Sequence, residues 1–236
     1  MICFLCKQGK TVLLVSLEMP HLEINGKIIS YLTGISSEII RKQGKQEDKI
    51  LKEIISALAT INTYNLARMK VGAIAVADIE DEIKNLGGVD VVFIDYLQRI
   101  EPIFHKSTRY EQITQISNDL KTLALKLNIP VVAVASINRA FTVRADKIPR
   151  LSDFRGSGDI EYDVDVALLL YRKSQFEEQT GGSDPVSVII GKNRYGKAGL
   201  NVDMVFKPEK NRYYEIEQES KKIKERKDNE QVNKTR

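Results

Sequence analysis

The stretch that decides the fold is VVFIDYLQ at residues 91–98, in which four apolar residues lead into Asp95 and Tyr96. An uninterrupted apolar run of this length is typical of a strand buried on both faces of a parallel sheet. Open α/β sheets bind ligands at the carboxyl ends of their strands, where Asp95 would lie. The stretch therefore predicts a metal-binding carboxylate at a phosphate site, although a buried strand ending in a helix-capping aspartate has the same local pattern.

Apolar strands and amphipathic helices alternate on both sides of this stretch, which indicates an α/β fold with a mostly parallel, twisted sheet flanked by helices. The last three predicted strands are separated by short turns, so we expect them to form an antiparallel flank. Strands are predicted at residues 11–16, 61–66, 91–95, 131–135, 166–171, 186–191, 201–206 and 212–216, and helices at 22–32, 47–59, 76–86 and 107–127.

Length and composition indicate a globular protein, with 236 residues of which 42% are apolar and 29% are charged. No apolar run approaches the roughly 20 residues that span a bilayer, so we expect a cytoplasmic protein with no membrane contact. The formal charge of +4 arises in residues 221–236, and the remainder has equal numbers of acidic and basic side chains. Overall charge therefore does not identify a nucleic-acid partner.

Cys3 and Cys6 form a C-x-x-C pair, a spacing found in metal and redox sites. The chain has no other cysteine, and His21 and His105 lie in unrelated parts of the sequence. A four-ligand zinc site cannot be assembled from these residues, so we interpret the spacing as fortuitous.

Two further strand exits carry polar side chains. Glu18 follows the strand at 11–16, and a glutamate beside a metal-binding Asp95 could polarise an attacking water molecule. Asn138 lies at the exit of the strand at 131–135, where it could detect a γ-phosphate. Either residue alone is equally compatible with a solvated loop.

Two basic segments could bind phosphates. Arg155, Gly156, Ser157 and Gly158 combine a positive charge with open backbone N–H groups, although a plain flexible turn has the same composition. Lys192 and Arg194 are two residues apart at a strand end, so they share a face and could reach a neighbouring subunit's nucleotide. An exposed basic hairpin tip is the alternative.

These polar sites follow one another along the chain in a characteristic order. On this evidence, residues 1–217 resemble the C-terminal RecA-like motor domain of hexameric replicative DNA helicases of the DnaB type. The matching stretches are SLEMP at 16–20, VVFIDYLQ at 91–98, LNIPVVAVASINR at 127–139, RGSGDIEYDVD at 155–165 and IIGKNRYG at 189–196.

The resemblance implies a role for each site residue. Glu18 resembles the catalytic glutamate, and Asp95 resembles the Walker B ligand of Mg²⁺. Lys192 and Arg194 match the pair that reaches across the subunit interface. The loop at 155–158 matches a DNA-backbone loop facing the central channel.

The resemblance also implies an ATP-dependent DNA helicase that uses ATP and Mg²⁺. Its partners would be single-stranded DNA, further copies of the chain in a homo-hexamer, and possible primase and helicase-loader proteins. The polar, basic composition of residues 218–236 predicts a charged, disordered tail outside the motor domain.

One departure concerns the phosphate-binding loop, G-x-x-x-x-G-K-[ST]. Gly9-Lys10-Thr11 has the correct ending, but Phe4 occupies the position of the first glycine and Thr11 leads into a strand rather than a helix. We therefore expect the first strand and the P-loop to be missing, with residues 1–7 ending the helix that follows the true P-loop. A fragment, a late-start gene model and a degenerate copy are all compatible with this pattern.

Two smaller departures are Ile137, where the family usually has glutamine, and Gly156, where it often has glutamate. Two other readings of the chain stay open at this point. One is a nucleotide-independent DNA-binding or ring-interaction module. The other is a different RecA-like ATPase, of the recombination or clock type.

Overall fold

The structure is a computed structural model that describes residues 1–41, 47–69, 72–103, 107–154, 159–172, 174 and 184–216. The predicted DNA loop at 155–158 and the predicted tail at 218–236 lie outside these residues. The side chains of residues 139 and 159 are likewise not described.

Helices and strands alternate along the chain, as the α/β prediction requires. The helices are α1 (Ile2–Lys7), α2 (His21–Thr33), α3 (Ser37–Arg41), α4 (Asp48–Asn62), α5 (Val76–Asn85), α6 (Arg109–Leu127) and α7 (Asp159–Asp163). The strands are β1 (Val12–Ser16), β2 (Leu66–Arg68), β3 (Val91–Asp95), β4 (Val131–Ala133), β5 (Val166–Arg172), β6 (Asp184–Asn193), β7 (Asn201–Lys207) and β8 (Arg212–Glu215).

The first four strands form a parallel sheet in the order β2-β1-β3-β4. Each of its strands points in the same direction, so their carboxyl ends lie along one rim. The next four form an antiparallel sheet in the order β5-β6-β7-β8. The predicted antiparallel flank is thus confirmed, and β5 belongs to it as well.

The apolar run of β3 is buried because helices cover both faces of the parallel sheet. Val92 and Ile94 pack on one face with α5 and α6. Val91 and Phe93 pack on the other face with α1, α2 and α4. Alternate residues of a strand point to opposite faces, so a strand between two helical layers has no polar position.

The antiparallel sheet is attached to α2 through hydrogen bonds to backbone carbonyls. The Ser30 hydroxyl donates to the Glu209 carbonyl at 3.3 Å, and the Arg212 guanidinium donates through Nε to the Tyr31 carbonyl at 2.6 Å. The bond from Arg212 satisfies a carbonyl group near the carboxyl end of α2, where a cation is also favoured by the helix dipole.

Two strand predictions need correction. The strand predicted at 61–66 is wrong, because α4 continues to Asn62 and the strand is Leu66–Arg68. Ile61 is buried and extends the apolar stripe of α4, a helical repeat that outweighs its β-branched preference. The strand predicted at 131–135 ends at Ala133, and α3 at Ser37–Arg41 was not predicted.

The Gly9-Lys10-Thr11 segment has a structural role at the opposite rim of the parallel sheet. Lys10 Nζ lies 3.1 Å from an Asp90 carboxylate oxygen, and the Thr11 N–H donates to the other oxygen at 2.7 Å. Thr11 and Asp90 directly precede their strands, so this contact joins the amino ends of β1 and β3. A five-residue strand separates it by roughly 15 Å from the carboxyl ends.

Cys3 and Cys6 are free thiols buried in the cluster that covers one face of the parallel sheet. Burial raises the pKa of both thiols, which keeps them protonated and poor as nucleophiles. Among the described residues, no group of three or more potential metal-ligating side chains is present. In the same part of the chain, no helix combines the length and apolar character that crossing a membrane requires.

Two leucines of α6 provide a matched test of the core. Leu120 is 6% exposed and Leu125 is 69% exposed. We expect Leu120→Ala to lower the free energy of unfolding by about 2–5 kcal/mol, because it removes buried methyl groups and leaves a cavity. Leu125→Ala should change it by less than about 0.5 kcal/mol. Urea denaturation followed by circular dichroism measures both, and equal losses would contradict the assigned helix face.

Candidate active site

The register of β1 against β3 brings two carboxylates to one rim of the sheet. Ser16 pairs with Asp95, and the next N–H, that of Leu17, donates to the Asp95 carbonyl at 2.8 Å. The Ser16 hydroxyl donates to the Met19 carbonyl at 2.9 Å and closes the turn that carries Glu18. Glu18 and Asp95 therefore leave the sheet side by side.

The negative charge of Glu18 affects the ionisation of Asp95. Burial raises the pKa of Asp95, and the negative charge of Glu18 raises it further. Lys27, on α2, opposes both effects. Asp95 is half-buried, whereas Glu18 is exposed.

The donor set at this rim fits Mg²⁺. Hard divalent cations prefer carboxylate oxygens and are commonly held by one or two carboxylates together with substrate phosphates. A cation would also offset the repulsion that raises the pKa of Asp95. Asp95 is the residue that would hold the ion, with Glu18 next to it.

The exit of β4 is fixed to the exit of β3 by Gln98. Its carboxamide accepts a hydrogen bond from the Ser136 N–H at 3.0 Å and donates one to the Ser136 carbonyl at 3.2 Å. The Leu97 N–H also donates to the Val134 carbonyl at 2.8 Å. The segment that leads to Asn138 therefore starts beside Asp95, as the convergence of strand ends predicts.

Asn138 is exposed, and its orientation is determined by two contacts. Its N–H donates to the Asp153 carbonyl at 2.6 Å, and its side-chain oxygen accepts from the Ala140 N–H at 3.0 Å. Because the oxygen is engaged, the NH₂ of the carboxamide is the group that could donate to a ligand. Ile137 pairs with Phe154 in an antiparallel bridge, which closes the neck of the loop between them.

A partly buried ion pair holds this loop. Arg144 donates from both terminal nitrogens to the Asp153 carboxylate at 2.9 and 2.7 Å, and the Arg150 N–H donates to the same carboxylate at 2.7 Å. Burial alone would raise the pKa of Asp153, but the bonds from Arg144 and Arg150 outweigh it and lower that pKa. The pair stays ionised to lower pH than an ordinary aspartate would.

Lys192 and Arg194 both contact the junction between α7 and β5 of their own chain. Lys192 Nζ donates to the Tyr162 carbonyl at 3.2 Å and also to the Glu161 carbonyl. Arg194 donates to the Asp165 carboxylate at 3.0 Å, while its side chain remains 53% exposed. The pair therefore lies together on one side of the strand end, as its two-residue spacing predicts.

Asp165 is shared between two cations. Lys121 of α6 lies 2.6 Å from its other carboxylate oxygen, and the Arg194 N–H donates to its carbonyl at 2.8 Å. The hydrogen bond from Lys121 lowers the pKa of Asp165, with smaller contributions from Arg194 and Lys192. Asp165 thereby ties the end of β6 to α6.

Sequence reasoning did not identify Lys27, Gln98, Asp153 or Asp165 as site residues. Gln98 lies inside the stretch at 91–98, so its amide was a visible signal. Lys27 is an isolated cation in an amphipathic helix and has no local pattern that marks it. Asp153 and Asp165 act through partners that local periodicity does not reveal.

A helix-flanked parallel sheet with paired acids at its carboxyl rim is typical of α/β proteins that bind nucleotides. The sequence profile described as DnaB-like helicase C terminal domain matches residues 2–215, nearly all of the described chain. The chain belongs to this DnaB-like helicase C-terminal domain family. The recombination-type, clock-type and passive-module alternatives are not favoured by these matches.

Curated relatives carry names that agree with the family. A probable plasmid replicative DNA helicase of Chlamydia psittaci is 37% identical over 193 residues, covering 80% of this chain and 42% of the relative. The replicative DNA helicase DnaB of Geobacillus stearothermophilus is 29% identical over 215 residues, covering 89% of this chain and 47% of the relative. The chain thus spans less than half the length of these relatives.

Solved structures agree on the fold. One solved chain, described as an ATPase domain, is 30% identical with a TM-score of 0.84, and the match covers 91% of this chain and 78% of that domain. A DnaB-like replicative helicase, described with its interactions with primase, is 29% identical with a TM-score of 0.85, covering 91% of this chain and 52% of that protein. The predicted RecA-like fold is confirmed.

Glu18 and Lys27 have opposite effects on the pKa of Asp95, so substituting them should shift that pKa in opposite directions. Glu18→Gln should lower it, because the substitution removes a neighbouring negative charge, and Lys27→Met should raise it. Carboxyl ¹³C NMR titration of Asp95 measures both shifts. Glu23→Gln, elsewhere on α2, is the control and should leave the titration unchanged; shifts of the opposite sign would contradict the proximity of these groups.

Proposed function

We propose that this chain supplies the hydrolytic and coupling residues of an ATP-driven replicative DNA helicase, in which ATP hydrolysis moves the protein along single-stranded DNA. The observation that carries the proposal is the pairing of the strand ends that bear Glu18 and Asp95 in a chain of this family. The proposed setting is a homo-hexamer in the cytoplasm, with primase and a helicase loader as candidate partners.

Each site residue has a proposed part in hydrolysis. Asp95 would hold Mg²⁺, which would supply charge neutralisation on the transferred phosphoryl group. Glu18, exposed beside it, orients a water molecule and accepts its proton. Asn138 donates from its carboxamide to the γ-phosphate, and Lys192 and Arg194 neutralise charge on a nucleotide bound by the adjacent subunit.

The local contacts of Arg194 support its proposed role at the nucleotide of the adjacent subunit. The Arg194 guanidinium donates to Asp165, and the Arg194 side chain is 53% exposed. It is therefore fixed in position and still accessible from solvent. Lys192 is held by backbone carbonyls at the same junction. Both cations are thus presented from a strand end, which limits the freedom they would lose on reaching a phosphate.

Arg155, Gly156, Ser157 and Gly158 are proposed to contact the DNA backbone, as the resemblance implies. They follow directly on Phe154, which is fixed by its bridge to Ile137. Asp153, one residue earlier, is held by Arg144. The described residues thus attach the start of this loop to the exit of β4.

The 236-residue polypeptide contains no G-x-x-x-x-G-K-[ST] sequence, so we expect it to hydrolyse ATP at background rate. Normal turnover by this polypeptide would contradict that expectation.

Joining the part of the Geobacillus stearothermophilus relative that precedes its matched region to residue 2 should yield an active helicase. In this chimaera, Glu18→Gln should lower the ATPase rate by about 10²–10⁴-fold, while Glu23→Gln should not. Loss of activity in both variants alike would argue against a specific role for Glu18.

DNA binding provides an independent test with the same chimaera. Arg155→Ala should weaken binding of a fluorescent oligo-dT and reduce the slope of log affinity against log salt by about one, because one phosphate contact is lost. Fluorescence anisotropy across a salt series measures both quantities. Equal DNA affinity with and without ATP would instead support a nucleotide-independent DNA-binding module.

A further inference from the structure

Arg194 is attached to Asp165 through both its backbone and its side chain. The Arg194 N–H donates to the Asp165 carbonyl at 2.8 Å, and the guanidinium donates to the Asp165 carboxylate at 3.0 Å. The backbone bond continues the pairing of β5 with β6, in which Val166 lies opposite Asn193. The end of β6 is therefore fixed by the backbone bond, and the carboxylate contact holds the side chain of Arg194.

Lys121 of α6 contacts the other oxygen of the same carboxylate. Lys121 Nζ lies 2.6 Å from Asp165 Oδ2, whereas Arg194 contacts Oδ1. The Lys121 side chain is 23% exposed, against 53% for Arg194. Solvent and salt screen a partly buried ion pair less than an exposed one, so the contact with Lys121 is the more persistent of the two.

Asp165 remains an anion with a bonded cation when Arg194 is elsewhere. The hydrogen bond from Lys121 is the largest contribution that lowers the pKa of Asp165, while burial opposes it. The positive charges of Arg194 and Lys192 lower this pKa by less. Withdrawal of the Arg194 guanidinium therefore leaves the Lys121–Asp165 ion pair in place.

A guanidinium that binds a phosphate has to release at least part of its contact with its own carboxylate. Removal of one partner from a partly shielded ion pair is costly, because the remaining charge loses its compensation. Lys121 reduces this cost for Asp165, since it stays bonded to Oδ2. The Arg194 guanidinium can then exchange a carboxylate for a phosphate without leaving an unpaired anion behind.

The contacts of Lys192 require no such compensation. Its Nζ donates to the backbone carbonyls of Glu161 and Tyr162, which are neutral groups. Release of Lys192 therefore leaves no unpaired charge on its partners. Of the two cations at this strand end, Arg194 is the one whose movement depends on a third residue.

We propose that Asp165 and Lys121 are positioning residues for Arg194: Asp165 holds the guanidinium at rest, and Lys121 compensates Asp165 when Arg194 exchanges to a phosphate. This role rests on the proposed function, which assigns Arg194 to the nucleotide of the adjacent subunit. It goes beyond that function because it gives opposite effects to two residues that do not contact the nucleotide. Asp165 restrains Arg194, whereas Lys121 makes its release less costly.

The order of the Arg194 guanidinium in the full 236-residue chain provides the first test. Asp165→Asn should lower the order parameter of Arg194 Nε, because the charged partner is lost. Lys121→Met should raise it, because both carboxylate oxygens are then free for a bidentate contact with Arg194. Relaxation of the assigned ¹⁵Nε signal in arginine-labelled protein measures both shifts.

Lys126 provides a matched control on the same helix. It lies 2.6 Å from a Glu80 carboxylate oxygen, so Lys126→Met removes a similar ion pair away from Arg194 and should leave the order parameter unchanged. Lys121→Arg keeps the charge and should behave like the parent chain. Equal loosening of Arg194 by Lys121→Met and Asp165→Asn would show a merely structural role and overturn the proposal. If Asp165→Asn loses the folded circular dichroism spectrum, the sign of the shift in Lys121→Met decides alone.

Turnover of ATP by the chimaera provides the second test. Lys121→Met should lower kcat about tenfold, because release of Arg194 then leaves Asp165 unpaired. The KM for ATP should stay unchanged, since Lys121 does not contact the nucleotide. In an Asp165→Asn background, Lys121→Met should cause no further loss, because no charge remains to be compensated. Losses that multiply in the double variant would overturn the proposal.

Arg194→Ala in the chimaera separates failure of this proposal from failure of the proposed function. A large loss of kcat in Arg194→Ala with the parent rate in Lys121→Met overturns the role of Lys121 and leaves the proposed function standing. The parent rate in Arg194→Ala overturns the proposed role of Arg194 and the roles of its positioning residues with it. Large losses in both, with opposite shifts of the order parameter, support both.

Discussion

The register of β1 against β3 is the constraint on which the candidate site depends. Ser16 lies opposite Asp95, so β1 and β3 end side by side at the same rim of the sheet. A shift of one residue would exchange the two faces of β1 and place Val12 and Leu14 in the cluster that now holds Leu13 and Val15. Packing of apolar side chains thus sets the position of two carboxylates that take little part in the packing themselves.

The acidic residues near the rim of the sheet differ in how easily they ionise. Asp95 resists ionisation because it is half-buried beside Glu18, whereas Asp153 and Asp165 are stabilised as anions by Arg144 and Lys121. This contrast separates two kinds of acid in one molecule. Acids with a bonded cation hold loops together, whereas an acid whose pKa is raised by burial and a like charge is suited to bind a metal ion.

The sequence predicted those helices and strands whose apolar residues follow a clear pattern. The strands at 11–16 and 91–95 were predicted from uninterrupted apolar runs, because both of their faces are covered, and α6 was predicted from apolar residues at helical spacing. The strand at 61–66 was misplaced because Ile61 suits both a helix stripe and a strand. Lys27, Gln98 and Asp165 were missed because their partners are distant along the chain.

The sequence by itself determined the α/β class, the order of the polar strand exits and the lack of a G-x-x-x-x-G-K-[ST] motif, because these depend on local periodicity and residue identity. Only the tertiary structure decided that Glu18 lies beside Asp95, that Lys10 binds Asp90 at the opposite rim, and that β4 and β5 end their sheets within the described residues. Periodicity encodes which face of an element is buried. Which element covers that face depends on pairings between distant segments, and those are decided by the packing of the whole chain.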